Sequence, residues 1–248
     1  GLHLRPEDAL ARARALVDAG ADILDVGGES TRPGAEPVPE DEESRRVAPV
    51  IAALRAAGVA TPISVDTRKA AVAAAAFAAG ADVWNDVSAL AYDPASLALA
   101  AASGRPVVLM HAQGDPRTMQ DAPAYDDVLL DVADFLAARI AAAEAAGVPR
   151  ARILVDPGIG FGKTVAHNLA LVRGLALLHG LGCPILFGAS RKRFIGAIGG
   201  APAPASRGPG SLAVALEALR QGAQVIRVHD VAETRQAISL WEALNAPA

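Results

Sequence analysis

An α/β fold, a parallel sheet wrapped by helices, is predicted for this chain of 248 residues by two regularities. Seven times an alanine-rich or leucine-rich amphipathic stretch ends in glycine, at Gly20, Gly58, Gly80, Gly104, Gly147, Gly182 and Gly222, and gives way to a short apolar run. Glycine in that place is the usual left-handed helix stop. Each run is nearly all apolar until its C-terminal end, where polar residues collect, as in strands buried on both faces. An open doubly wound sheet would satisfy the alternation. Polar residues at the carboxyl end of nearly every run favour a (β/α)8 TIM barrel, whose mouth lies there. No low-complexity linker breaks the pattern, so residues 1–248 read as one barrel domain.

The elements follow in order. A first helix is expected from Pro6, a residue suited to the first helical turn, with Glu7 and Asp8 at the positive helix end and Leu10, Ala13, Leu16 and Val17 on one face. The runs "ADILDVGG", "PISVDT", "ADVWNDVS", "PVVLMH", "RILVDPG", "CPILFGAS" and "AQVIRVHD" are short, largely β-branched and bounded by turn residues, and are assigned as strands. A barrel needs eight strands, and this order begins with a helix, so strand 1 is absent from the sequence. The Pro/Gly-rich stretch "GGAPAPASRGPG" at 199–210 is expected to be an active-site loop.

Composition narrows the function classes. A net charge of -4 with 4% aromatic residues provides neither the basic surface nor the stacking platform of a nucleic-acid binder. Hydrophobic residues make up 52%, but much of that is alanine. The longest such run, Ala70 to Ala81, falls short of the roughly 20 clearly apolar residues that span a bilayer. The single cysteine, Cys183, precedes an apolar run and reads as a small buried hydrophobe. Without a possible internal disulfide, and with no charged-then-apolar leader ahead of the first helix, a cytoplasmic location is expected. No CxxC or HExxH pair marks a permanent zinc site.

One stretch looks at first like a nucleotide loop: "DPGIGFGKT", residues 156–164. A phosphate-cradling G-x-x-x-x-G-K-[ST] loop needs glycine where Pro157 stands. The dinucleotide pattern fails at Lys163, where its third glycine belongs. These glycines serve another pocket. The strand ends present Asp25 with "GGESTRPG", Asp66, Asn85 and Asp86, Met110 and His111, Asp156, "ASRK", and Arg227 with His229. Carboxylates and an amide can pair with the donors and acceptors of a flat heterocycle, while Arg191, Lys192, Arg227 and His229 can hold an anion such as phosphate.

The ordered motifs "DVGGESTRPGA", "SVDTRK", "NDVS", "MHAQGDPRTMQ", "DPGIGFGK", "GASRK" and "RVHDV" resemble those of the dihydropteroate synthases over nearly the whole chain. The resemblance implies joining p-aminobenzoate to 6-hydroxymethyl-7,8-dihydropterin pyrophosphate, with Mg2+ as helper and a homodimer formed through the helical face away from the mouth. It implies that Asp156 and Asn85 bind the pterin edge, that Lys192 contacts the pterin and positions p-aminobenzoate, and that Met110 floors the pocket. Arg227 would cover the pterin and, with His229 and Thr31, hold the pyrophosphate. Asp66 and the supporting Asp25 would face the reacting methylene. Thr31, Arg32, Pro33, Phe161 and Ser190 would form the p-aminobenzoate end. The catalytic set so implied is Asp66, Lys192 and Arg227. His111 stays undecided; His3, His167 and His179 receive no role.

The family's usual opening strand, reading roughly "NVTPDSFSDGG" and carrying an asparagine that helps bind the metal and pyrophosphate, is missing here, so no metal ligand is assigned. Two other readings remain. A pterin-dependent methyltransferase shares the barrel and the pterin-binding Asp and Asn but has no reason to keep both "STRPG" and "GASRK". A non-catalytic pterin-binding paralogue or inactive fragment would bind a dihydropterin without forming product.

Overall fold

A computed structural model describes residues 6–30, 34–114 and 117–246. Helix α1 (Pro6–Asp18) starts at the expected proline, and β1 (Leu24–Gly27), α2 (Glu40–Ala56), β2 (Ile63–Asp66), α3 (Ala70–Ala79), β3 (Val83–Asp86), α4 (Ser96–Ser103) and β4 (Val107–Met110) follow in alternation. The second half continues with α5 (Val128–Ala145), β5 (Ile153–Asp156), α6 (Val165–Arg173), β6 (Leu186–Phe187), α7 (Arg193–Gly199), α8 (Gly208–Arg220), β7 (Val225–Ile226) and α9 (Val231–Asn245). All seven glycines read as helix stops have positive φ, between 60° and 110°. A residue with a Cβ resists that conformation, so the chain turns from helix to strand where the glycines stand.

Strands β1 to β5 form one parallel sheet in chain order, and β6 and β7 pair parallel beside it. A bridge between Val155 and Ile185 joins the two groups. Each strand is two to four residues long, and backbone bonds such as that from the Thr67 N–H to the Asn85 carbonyl carry the pairing slightly beyond the strand ends.

Alternation along the strands sorts side chains to two sides. Leu24, Ile63, Val65, Trp84, Val107, Leu109, Ile153, Val155, Ile185 and Phe187 belong to the core packed against the helices. The residues of opposite parity, Asp25, Asp66, Asn85, Met110, Asp156 and Arg227, are therefore directed to the barrel interior, since successive side chains leave a strand on opposite faces. This is why the strands read as apolar with a polar end. The helix side packs large and small together: Ile51 and Leu54 of α2 meet the alanine-rich α3, whose Val72, Ala73 and Ala76 are fully buried. Each fully buried Leu or Ile in that layer contributes about 1.5–3 kcal/mol.

Among the described residues, β1 pairs only with β2 and β7 only with β6. Side chains connect the two across the remaining side of the ring. Arg227 reaches Asp25 at 2.6 Å and Asp66 at 3.0 Å. Arg12 donates to the carbonyl of His229 at 3.3 Å, and Arg235 to that of Gly20 at 2.9 Å.

The stretch 199–210 corrects one expectation. Pro204–Arg207 form a 3-10 turn and α8 begins at Gly208, so this is a helix entry and not an open active-site loop. Its prolines hold φ near the value such turns require. Its link to the mouth is indirect: Arg207 donates to the Arg191 carbonyl at 2.9 Å, and the Arg191 N–H donates to Ser211 Oγ at 2.9 Å. The "GASRK" turn, where Arg191 takes a φ of 58°, is held in place from behind by α8. Cys183 is buried, as expected of a small hydrophobe.

Candidate active site

The ends of β2, β3, β4, β5, β6 and β7 converge on one cleft lined by Asp66, Asn85, Val87, Met110, Asp156, Phe161, Gly188, Lys192 and Arg227. Seven of the sequence-predicted residues, Phe161 among them, are brought together there, with Val87 and Gly188 added. In-register pairing sets the spacing, with Asp66 opposite Asn85 and Met110 opposite Asp156. A larger hollow of ≈310 Å3 lies elsewhere, between the C-terminal ends of α1 and α2, and holds none of these groups.

Electrostatics at the cleft is a balance of buried charges. Burial, reinforced by the neighbouring Asp25, pushes the Asp66 carboxyl up to about 7, against the pull of Arg227. Its Oδ1 is buried with no hydrogen-bond partner. Burial also raises Asp156, opposed by the Lys192 charge and by the Gly158 N–H, which donates to Asp156 Oδ1 at 2.7 Å. Lys192 is brought down to about 8, chiefly by burial, with Asp156 acting the other way. Arg227 is driven further into its charged form, first by Asp25. An anionic or hydrogen-bonding ligand entering here meets the buried Lys192 ammonium, the half-exposed Arg227 guanidinium and a buried carboxylate oxygen still lacking a donor.

Lys192 lies over the Phe161 ring, 4.5 Å from its centroid, and its ammonium donates to the Ile159 carbonyl. The glycines of "DPGIGFGK" now have their purpose. Gly158 has φ of 64°, and a Cβ there would collide with the His111 carbonyl; at Gly162 it would collide with that of Gln113. The β5–α6 loop thus presses against the end of β4 with no room for side chains. Asn168 of α6 secures it, accepting from the Gly160 N–H at 2.7 Å.

Other predicted residues take different places. Asp25 sits just outside the cleft lining, as partner of Arg227. Arg68 pairs with Glu29 at 3.0 Å, and Asp230 takes a two-point contact from Arg191, which is thereby withdrawn from the predicted anion-binding group. Ser190 and His229 contact each other, with Ser190 Oγ 3.0 Å from His229 Nδ1, at the exposed rim. Asp86 faces away from the cleft and caps its own turn through the Ser88 and Leu90 N–H groups. Thr31, Arg32 and Pro33 lie outside the described residues.

Two buried networks escaped the sequence reading. Lys69 joins Glu29 at 2.8 Å, the Val38 carbonyl at 2.9 Å, and Glu43, bracing the loop between β1 and α2. Lys163 joins His111 to the β5–α6 loop. Burial and the Lys192 charge bring Lys163 down to about 7, while burial and Lys163 bring His111 down to about 3. A lysine in a turn reads as solvated, and only the fold shows it enclosed.

Comparison with known proteins converges with this geometry. A family profile described as pterin binding enzyme matches residues 1–229. The dihydropteroate synthase of Escherichia coli strain K12 is 46% identical over 243 residues, covering 98% of this chain and 85% of the relative. The solved dihydropteroate synthase of Xanthomonas albilineans with 4-aminobenzoic acid has a TM-score of 0.93 at 50% identity, covering 98% of this chain and 86% of the other. A structure of the Xanthomonas albilineans enzyme in complex with 7,8-dihydropteroate gives 0.90 at 46%, covering 100% and 88%. With these matches over nearly its full length, the chain belongs to the pterin-binding enzyme family, as a TIM-barrel dihydropteroate synthase.

Proposed function

We infer that this chain joins 6-hydroxymethyl-7,8-dihydropterin pyrophosphate to p-aminobenzoate, giving 7,8-dihydropteroate and pyrophosphate. The observation that carries the reading is the convergence of Asp66, Asn85, Asp156, Lys192 and Arg227 on one cleft in a chain of this family. Relatives solved with 4-aminobenzoic acid and with 7,8-dihydropteroate support the same two halves of the reaction.

The roles follow from chemistry. The Asp156 carboxylate accepts N–H groups of the aminopyrimidine edge, and the Asn85 amide can both donate and accept beside it. Met110 floors the ring. Lys192, held against Phe161, stands where the pterin and the arylamine meet. The C–O bond to the pyrophosphate breaks as that group takes up negative charge, which Arg227 and His229 stabilise; Asp66 and Asp25 favour the positive charge developing on the methylene. The amine nitrogen then forms the C–N bond and releases a proton. An arylamine is nucleophilic without a strong base, so catalysis is mostly positioning and electrostatics. Ser190, Phe161 and the Thr31, Arg32 and Pro33 segment complete the p-aminobenzoate end.

Mg2+ belongs to the proposal as the counter-ion of the pyrophosphate. No group of three or more His, Cys, Asp or Glu side chains suited to a metal converges among the described residues, so these residues do not by themselves build its site and no step runs through it. A homodimer and a cytoplasmic location are also proposed. No described helix is long and apolar enough to cross a membrane.

The test is mass-spectrometric detection of 7,8-dihydropteroate after mixing the chain with both substrates and Mg2+. Product from the parent, and a loss of ~100-fold or more in Lys192→Ala, is expected. Dihydropterin binding without product would favour the non-catalytic reading, and full turnover in the variant would remove the role of Lys192.

A further inference from the structure

Lys163 is a buried charge that the reaction as drawn does not use: it is 3% exposed. Its ammonium donates to the carbonyls of Gly158 and Phe161 at 3.0 Å each and approaches that of His111 at 3.4 Å. Its fourth contact is His111 Nδ1 at 2.9 Å. As an ammonium Lys163 has only protons to offer, so in that charge state the ring nitrogen accepts and the imidazole proton sits on Nε2. One cation thus gathers acceptors from two elements, the end of β4 and the β5–α6 loop.

What that loop presents to the cleft depends on where those carbonyls are held. Ile159, whose carbonyl receives Lys192, follows Gly158 directly, and Phe161 carries both a Lys163 acceptor and the ring beneath Lys192. The other side of the site is anchored chiefly by strand pairing, with one tie to the loop, from the Gly158 N–H to Asp156 Oδ1. Asn85 belongs to β3 and its ladder, and Asp156 to β5, where it is fixed in register with Met110. Loss of the Lys163 clamp should therefore disturb one side of the cleft more than the other.

We propose that Lys163 is a positioning residue for the p-aminobenzoate side of the reaction, acting through Phe161 and Lys192. The inference rests on the dihydropteroate synthase reading given above. Lys163→Met keeps an unbranched side chain one atom shorter and removes the donors. A side chain displaced by about 1 Å costs on the order of 100-fold where geometry governs the step. The variant is accordingly expected to raise KM for p-aminobenzoate by ~10-fold or more, while KM for the pterin pyrophosphate changes by less than ~3-fold.

The same split is read without turnover by calorimetric titration of each ligand, p-aminobenzoate being titrated with pyrophosphate and Mg2+ present. A parent that makes no product would sink the proposed function, whereas the binding split still decides the role of Lys163. Equal weakening of both ligands, or of neither, in a folded variant overturns the inference. Should Lys163→Met fail to give a native near-ultraviolet dichroism spectrum, His111→Phe removes one acceptor and leaves the ammonium its three carbonyls. It is expected to show the same split at smaller size, and its absence there would equally overturn the inference.

Discussion

At the scale of single residues, the site is governed by groups whose ordinary ionisation has been displaced by burial. His111 is the plainest case: enclosed beside the Lys163 ammonium and packed edge-on against Phe135 at 4.9 Å, it stays neutral down to about pH 3. The unfolded chain protonates the same imidazole near its ordinary value of about 6.5. Between those values the unfolded state binds a proton that the folded state refuses, so the stability His111 contributes is full above about 6.5 and is lost as pH falls towards 3. Urea midpoints measured from pH 7 to pH 4 should drop for the parent and drop less steeply for His111→Phe. Parallel slopes would show that His111 titrates normally in the folded protein. Lys192 shows the opposite use of the same physics, since a pKa near 8 leaves it charged at neutral pH.

At the scale of elements, glycine separates two jobs that look identical in the sequence. Gly58 has φ of 78° with open space where a Cβ would point, so Gly58→Ala costs only the left-handed backbone preference, about 1–2 kcal/mol. Gly158 has a similar φ of 64°, but a Cβ would strike the His111 carbonyl. Gly158→Ala should therefore lower the melting temperature distinctly more than Gly58→Ala and weaken ligand binding as well. Equal losses in a thermal melt would mean that the β5–α6 loop does not press on β4 as described. The two-residue spacing of buried and cleft-facing side chains is the other lesson at this scale. It was not legible in β4, where all four residues are apolar and buried and only the fold sorts Val107 and Leu109 outward. Nor was the "GASRK" turn, because its positive-φ Arg191 and its Ser211 anchor depend on α8 arriving behind it.

For the whole molecule, the barrel brings Arg227 to Asp25 and Asp66 across separations of 202 and 161 residues. No local signal announces such a pairing. On the outer surface, α9 leaves Leu240 and Leu244 exposed, at 62% and 75%. The proposed dimer through the helical face away from the mouth gives those side chains a place to be buried. Sedimentation analysis is expected to find a dimer for the parent and a shift towards monomer for the Leu240→Lys and Leu244→Lys double variant. A parent that sediments as a monomer at all accessible concentrations would remove the dimer from the proposal.

By itself the sequence determined the alternation of helix and strand, the glycine stops and the chemistry at the strand ends, because period, turn residues and polar termini are local properties of the chain. It also carried the family, through motifs kept in order. Only the tertiary structure decided which ion pairs form, that Arg191 serves Asp230 while Arg227 serves Asp25 and Asp66, and that Lys69 and Lys163 are enclosed. The physical reason is that burial and charge pairing are set by elements far apart in the chain, and a buried lysine is written with the same letter as a solvated one.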